Sequence, residues 1–394
     1  MVAGNINTLL AVASSNKAYN RIRSTGLYFT TQNAFKAPPA QAYVKQLFDE
    51  APQARNDVEG KLAIVTGVTV GGAGYHMAEE LALQAGMDCI IMGRNEKKLK
   101  AAVASIKEEA EKRQAGAPTM YEIKYDLDSL ESATQAAMEA IKIATEKYDG
   151  KLHVLMNNAG AFYPTYGVTK EGVESNTGRN FLAPHVLTEK LLPALRKAAT
   201  STYKPRVVHV ASLAHCCGQD FDPKRLVEAP AEGGAPSGIF EETEEKKLDY
   251  SKATGALASA MQYGRAKMAV LAECIELAKR ESTLAVVALH PGSINSNFGA
   301  GMGVGAWIYY NVFGPFQFSP SQGARAALRG CLDPDLNTGA LPSGSYLHSD
   351  GNPWVPEEPT TLNPATGKVY TMDDYAKATF DAAEDLVAKI SSKQ

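Results

Sequence analysis

The chain has 394 residues, 45% of them apolar and 21% charged, proportions of a globular protein that exclude a disordered or fibrous one. Forty Lys and Arg against 43 Asp and Glu leave a formal net charge of -3, which excludes nucleic-acid binding by bulk electrostatics, because phosphate neutralisation needs a cationic excess. Five cysteines without a CxxC spacing support neither a disulfide framework nor a structural zinc site.

The first segment differs from the rest. Lys17, Arg21, Arg23, Lys36 and Lys45 stand in Met1–Phe48 without one acidic residue. A basic, acid-free, Ser/Thr-containing start without an apolar core has the character of an organellar transit segment, for chloroplast or mitochondrion. The alternative is an arm, residues 1–58, that packs on the domain or on a partner in an otherwise cytoplasmic protein.

From Lys61 onward, short apolar β-branched runs alternate with helical patterns. Leu62–Thr66, Cys89–Met92, Tyr121–Tyr125, His153–Met156, Val207–Ala211 and Ala285–Leu289 read as strands. Ala73–Gln84, Glu96–Arg113, Leu130–Lys147, Leu187–Ala199, Thr254–Arg280 and Ser321–Leu332 read as helices. Runs that are apolar throughout predict a parallel sheet covered on both faces. The fold class is α/β, a doubly wound Rossmann fold with about seven strands.

Between the first strand and first helix lies Thr66-Gly67-Val68-Thr69-Val70-Gly71-Gly72-Ala73-Gly74. Glycines there let the backbone approach a pyrophosphate at a helix N-terminus, where unpaired N–H groups favour anions. The second strand ends at Met92-Gly93-Arg94. An acidic residue in that place would take the ribose hydroxyls of NAD, whereas a guanidinium pairs with a 2′-phosphate, so NADPH/NADP is the expected cofactor. Farther on, Tyr263 and Lys267 are four apart, on one helix face. An ammonium beside a phenol lowers its pKa toward that of a working proton donor.

Two segments break the pattern. Gln219–Asp249 holds nine acidic and four basic residues, and Ser282–Ala324 holds none of either kind. Six Gly or Pro residues between Gly299 and Pro315 exclude an uninterrupted membrane-spanning helix in the second. At the end, Asp373–Ile390 is expected to form an amphipathic helix with its acids first and Lys389 last.

Thr66-Gly67 with its glycines, Asn157-Asn158-Ala159-Gly160, Ser212, Tyr263-xxx-Lys267 and His290-Pro291-Gly292 occur in the order of the short-chain dehydrogenases/reductases. The chain resembles that family from about Glu59 to Ser349. Val210-Ala-Ser-Leu-Ala-His215, Gly93-Arg94-Asn95 and Ser319-Pro-Ser-Gln-Gly-Ala324 make it most similar to the retinol dehydrogenase branch, with light-dependent protochlorophyllide reductases as relatives. The resemblance implies an oxidoreductase with Tyr263 as acid/base and Lys267 lowering its pKa and binding the nicotinamide ribose. It implies Ser212 on the substrate oxygen and Asn180 anchoring a relay water. It assigns Gly67, Thr69, Gly72, Gly74, Arg94, Asp126, Asn157, Ala159, Gly160, Pro291 and Gly292 to the cofactor, with no metal. It also implies a mobile apolar lid at 295–320 over a hydrophobic carbonyl or alcohol substrate. That leaves residues 59–349 as the catalytic domain, 219–249 as an acidic insertion and 350–394 as a C-terminal extension.

Three departures qualify the resemblance. Pro184 stands four residues after Asn180 and has no N–H for its carbonyl, which would leave that carbonyl free to hold the relay water. The glycine loop carries one residue more than TGxxxGxG. The step from Ser212 to Tyr263 is 51 residues, lengthened by the acidic insertion. Two other functions stay open: reduction of a protochlorophyllide-like tetrapyrrole, and a cofactor-binding structural subunit of a larger complex with vestigial chemistry. The apolar surface at 295–320 would suit a membrane interface, another subunit of a homo-oligomer or a larger complex equally well. Cys216 and Cys217 read as buried structural residues.

Overall fold

The computed structural model describes residues 37–163, 167–219, 222–223, 256–295, 317–356 and 358–392. Most of the expected acidic insertion and apolar lid, and the first 36 residues, lie outside them.

Six parallel strands form the body of the sheet: β1 (Leu62–Thr66), β2 (Asp88–Gly93), β3 (Met120–Lys124), β4 (Val154–Asn157), β5 (Arg206–Val210) and β6 (Ala285–Leu289). Two short strands extend it, β7 (Tyr346–Leu347) parallel to β6 and β8 (Pro353–Trp354) antiparallel to β7. The order is β3-β2-β1-β4-β5-β6-β7-β8, and the reversal of winding between β1 and β4 opens a crevice at the strands' carboxyl ends. The sequence accounted for six of the strands; β7 and β8 are two residues each, too short to carry a periodic signal. A separate hairpin pairs β9 (Leu362–Asn363) with β10 (Lys368–Val369).

Alternation along the strands sorts two cores. Leu62, Ile64, Ile90, Met92, Ile123, Leu155, Val207 and Val286 meet α4 (Leu130–Lys147), α5 (Ala183–Ala198), α6 (Ala256–Arg280) and α8 (Met372–Ser391). Ala63, Val65, Cys89, Ile91, Val154, Met156, Val208 and Val287 meet α1 (Ala40–Glu50), α2 (Ala73–Leu83), α3 (Glu96–Lys112) and α7 (Arg325–Leu332). With both faces covered, no strand needs a polar side, which is why the runs are apolar throughout.

The helices start where local chemistry stops the strands. Asn95 accepts from the Lys98 N–H at 3.1 Å to open α3, and Ser129 from the Ser132 N–H at 3.2 Å to open α4, each satisfying one orphan donor. Thr371 does the same for α8, with Asp373 and Asp374 in its first turn and Lys389 in its last. That helix lays Tyr375, Ala376, Phe380 and Ala383 on α6, and Arg280 reaches back to Asp381 at 2.5 Å and Glu384 at 3.2 Å. At the other end, α1 rests on α2 and α7: the Ala40 N–H donates to Ser321 Oγ at 3.0 Å and Gln322 Nε2 to the Ala37 carbonyl at 2.7 Å. The part of the arm from residue 37 on is therefore packed on the domain.

Candidate active site

The loop after β1 is shaped by its glycines. Gly67 has φ +76°, and a Cβ on it would stand 2.7 Å from Ala159 Cα. A Cβ on Gly74 would meet Asn158 Nδ2 at 2.5 Å and the Gly67 carbonyl oxygen at 2.8 Å. Between them the Gly72 N–H donates to the Thr69 carbonyl at 2.9 Å, closing a turn whose third residue, Gly71, has φ +76° and open space around it. A left-handed glycine thus turns the loop outward between the close contacts of Gly67 and Gly74. Gly72 is then the N-cap of α2 with no side chain capping the helix, so its first N–H groups stay open to an anion. The Gly67 and Val68 N–H groups donate to the Met92 carbonyl at 2.8 and 3.3 Å, which sets the loop beside exposed Arg94.

The run after β4 divides. Asn158 ties the two loops together, its Nδ2 donating to the Thr66 carbonyl at 2.8 Å, while Thr66 Oγ1 accepts from the Asn158 and Ala159 N–H groups at 3.0 and 2.9 Å. Asn157, expected on the cofactor, points its side chain into the core instead, donating to Thr188 Oγ1 at 2.8 Å. The reason is parity: Asn157 is two residues from Leu155 and so faces α5, as Leu155 does. Asp126 is half-buried after β3, its N–H donating to Ser132 Oγ at 2.9 Å and its Oδ1 accepting from the Asp128 N–H at 3.2 Å.

The four expected catalytic residues converge on the ends of β4 and β5. Tyr263 and Lys267 lie side by side on α6, the Lys267 Nζ 5.6 Å from the Tyr263 ring centroid and donating to the Val210 carbonyl at 2.7 Å. Burial alone pulls Lys267 down to about 7, so near neutral pH it exchanges its proton readily. Gly160 brings in the third member: a Cβ there would lie 2.6 Å from Asn180 Oδ1 and 3.6 Å from Lys267 Nζ. Ser212 follows β5 and caps the turn Leu213–Cys217, its Oγ accepting from the Ala214 N–H at 3.1 Å.

Asn180 lies in a π turn, Gly178–Leu182, where the Ala183 N–H reaches the Gly178 carbonyl. Pro184 is at the start of α5, and its ring nitrogen leaves the Asn180 carbonyl without an i+4 donor. The Asn180 side chain is committed elsewhere, accepting from the Ala161 N–H at 3.0 Å and donating to the Ala161 and Asn176 carbonyls at 2.9 and 3.0 Å.

Pro291-Gly292 follows β6, and Gly292, at φ +87°, faces the Phe318 ring. Burial and the neighbouring His348 and His215 hold His290 well below the usual histidine range, so its neutral Nδ1 can accept from the Leu213 N–H at 3.3 Å. Cys216 is buried, with its Sγ 3.7 Å from His215 Nε2. Among the described residues no cluster of three His, Cys, Asp or Glu could hold a metal, and no helix is long and apolar enough to cross a membrane.

A parallel sheet with a glycine-built anion turn at its crevice and a buried Tyr–Lys pair opposite defines a nicotinamide-dinucleotide oxidoreductase. The sequence matches the short chain dehydrogenase family over residues 61–220. It is 32% identical to an uncharacterized oxidoreductase of Schizosaccharomyces pombe, over 77% of this chain and 80% of that one. It is 29% identical to retinol dehydrogenase 12 of Mus musculus, over 76% of this chain and 80% of that one. A putative short chain dehydrogenase of Escherichia coli, solved with NADPH, superposes with a TM-score of 0.50 at 18% identity, covering 75% of this chain and 98% of that one. The chain belongs to the short-chain dehydrogenase/reductase family, whose members use NAD(P)H on small carbonyl or alcohol substrates.

Proposed function

We propose that this protein reduces the carbonyl of an apolar substrate with NADPH, or oxidises the corresponding alcohol, with Tyr263 as the acid/base. The observation that carries this is the buried Tyr263–Lys267 pair, set against Gly160 and Asn180 at the crevice. A bound nicotinamide supplies the hydride. Gly67, Gly72, Gly74 and Gly160 would hold the dinucleotide close to the backbone, with Thr69, Asp126, Ala159, Pro291 and Gly292 along it. Arg94 would pair with the 2′-phosphate.

The proton chemistry belongs to the chain. The Tyr263 hydroxyl protonates the carbonyl oxygen in reduction, and Lys267 in its charged form stabilises the tyrosinate left behind. Ser212 Oγ holds the substrate oxygen beside Tyr263. The Asn180 carbonyl, freed by Pro184, holds the water that returns a proton through Lys267. The likeness to retinol dehydrogenase 12 supports an apolar substrate. NADPH in the E. coli neighbour and Arg94 at the end of β2 support the cofactor.

The test is a screen of apolar aldehydes and ketones against NADPH and NADH. Turnover should appear with NADPH and fall by about a thousandfold in Tyr263→Phe. Cofactor binding with no turnover of any carbonyl would overturn the reading.

A further inference from the structure

The segment leaving β4 is held in an unusual way. Asn180 pairs both backbone groups of Ala161, as described. Asn176, one turn earlier, repeats the arrangement on Tyr163: its Oδ1 accepts from the Tyr163 N–H at 3.1 Å and its Nδ2 donates to the Tyr163 carbonyl at 3.3 Å. Residues 161 and 163 are therefore paired as the edge of a sheet would be, but the partners are two side-chain amides. Amides suit this because each carries one acceptor and two donors on a rigid plane. Phe162, between the two paired residues, turns the opposite way. Its ring meets Tyr263 edge to face, with centroids 5.9 Å apart and planes at 84°.

The ladder has its own supports. Glu174 Oε1 accepts from the Asn176 N–H at 2.9 Å and from its Nδ2 at 3.1 Å, and Oε2 accepts from the Thr177 N–H at 2.8 Å. Glu174 and Asn176 are both buried. The far end is pinned by Arg179, whose guanidinium lies 4.3 Å from the Tyr163 ring centroid and reaches Asp128 Oδ1 at 2.7 and 2.6 Å. This anchoring fixes the backbone on both sides of Phe162 and so sets where its ring stands against Tyr263.

We infer that Asn176 is a positioning residue and Phe162 a specificity-determining residue for the reaction at Tyr263. The asparagine ladder fixes the strap so that Phe162 walls the acid/base on one side. The wall keeps water from the phenol and bounds the space beside it in which the substrate carbonyl would sit. The inference rests on the assignment of Tyr263 as acid/base. It adds the residues that bound the substrate beside the phenol.

The experiment is a double-mutant cycle on the full chain with NADPH, using a straight-chain aldehyde and one branched next to the carbonyl. Asn176→Ala and Phe162→Ala should each lower kcat/KM for the straight chain about tenfold. The double variant should be no worse than the poorer single, because both act through one wall. Phe162→Ala should also gain on the branched aldehyde, and Phe162→Leu should restore part of the discrimination. Losses that multiply to about a hundredfold, or unchanged selectivity in Phe162→Ala, would overturn the inference. If Asn176→Ala does not fold, the Phe162 variants still decide it through selectivity.

A readout free of turnover separates this idea from the Tyr263 assignment. Lys267 can be titrated by NMR in protein labelled with carbon-13 at the lysine ε position, assigned by its loss in Lys267→Met. Opening the strap should wet the pair and raise the Lys267 midpoint in Asn176→Ala and Phe162→Ala. An unmoved midpoint would sink the strap, whereas a wild-type protein that reduces nothing would sink only the Tyr263 assignment.

Discussion

The turn after β1 meets the segment that leaves β4 where Gly67 approaches Ala159, yet that turn and the strap two residues farther on are built from opposite materials. The turn is shaped by missing side chains: Gly67 and Gly74 leave no room for a Cβ, and Gly71 takes a left-handed φ in the turn between them. The strap is shaped by side chains that replace a backbone partner, Asn176 and Asn180 pairing with alternate residues. A turn built on backbone presents N–H groups to any phosphate, so it is general. A strap built on side chains places one particular ring against one particular phenol, so it is specific. The division matches the two tasks proposed for the site, holding a common cofactor and choosing a substrate.

The sharpest test lies on the strap side. Lys267→Met removes the buried cation while keeping much of its volume, and kcat should fall about a thousandfold at neutral pH, with NADPH affinity changed far less. Single-turnover kinetics would separate the two. A variant whose binding and turnover fell together would erase the distinction between the two halves.

On the turn side, Gly67→Ala forces a Cβ toward the Ala159 backbone and strains a residue at φ +76°. NADPH affinity should weaken about thirtyfold by fluorescence titration, and the melting temperature should fall with it. Arg94→Ala should cost less, about tenfold in NADPH affinity with NADH unchanged, the worth of one exposed charge-assisted hydrogen bond. Equal losses for both cofactors would show that Arg94 does not read the 2′-phosphate.

The legibility of the two halves follows the same line. Glycines in a fixed order, and Tyr263 with Lys267 one helical turn apart, act through local geometry, so the sequence predicts both loop and pair. The placement of Asn157 and of the strap depends on which face a strand end shows and which helix passes it, and neither is local. Asn157 is a core residue bonded to Thr188, and Asn158 is the member of that run that ties the two loops. Phe162 carried no signal at all. Asn176 carried one: two asparagines four apart in a helical run are poor helix formers and invite a backbone partner elsewhere. The π turn at Gly178–Leu182 had only Pro184 to announce it.

The smallest effects concern buried charge beneath each part of the strap side, and they run in opposite directions with pH. Burial lowers Lys267 to about 7, below its value of about 10.4 in the unfolded chain. Between those values the unfolded chain holds the extra proton, so stability rises with pH there. His185, 3.2 Å from Glu273 in the core between α5 and α6, behaves the other way. Burial works against its charge, but the hydrogen bond and attraction of Glu273 prevail and raise it above the ordinary value. Its contribution is complete below about pH 6.5 and is lost as pH climbs through the folded value. Urea unfolding should show wild type gaining on Lys267→Met by about 2 kcal/mol from pH 7.5 to 9.5, and losing ground to His185→Gln from pH 6 upward. Slopes of the same sign in both comparisons would mean that one of the two groups is shifted in the direction opposite to the one its surroundings dictate.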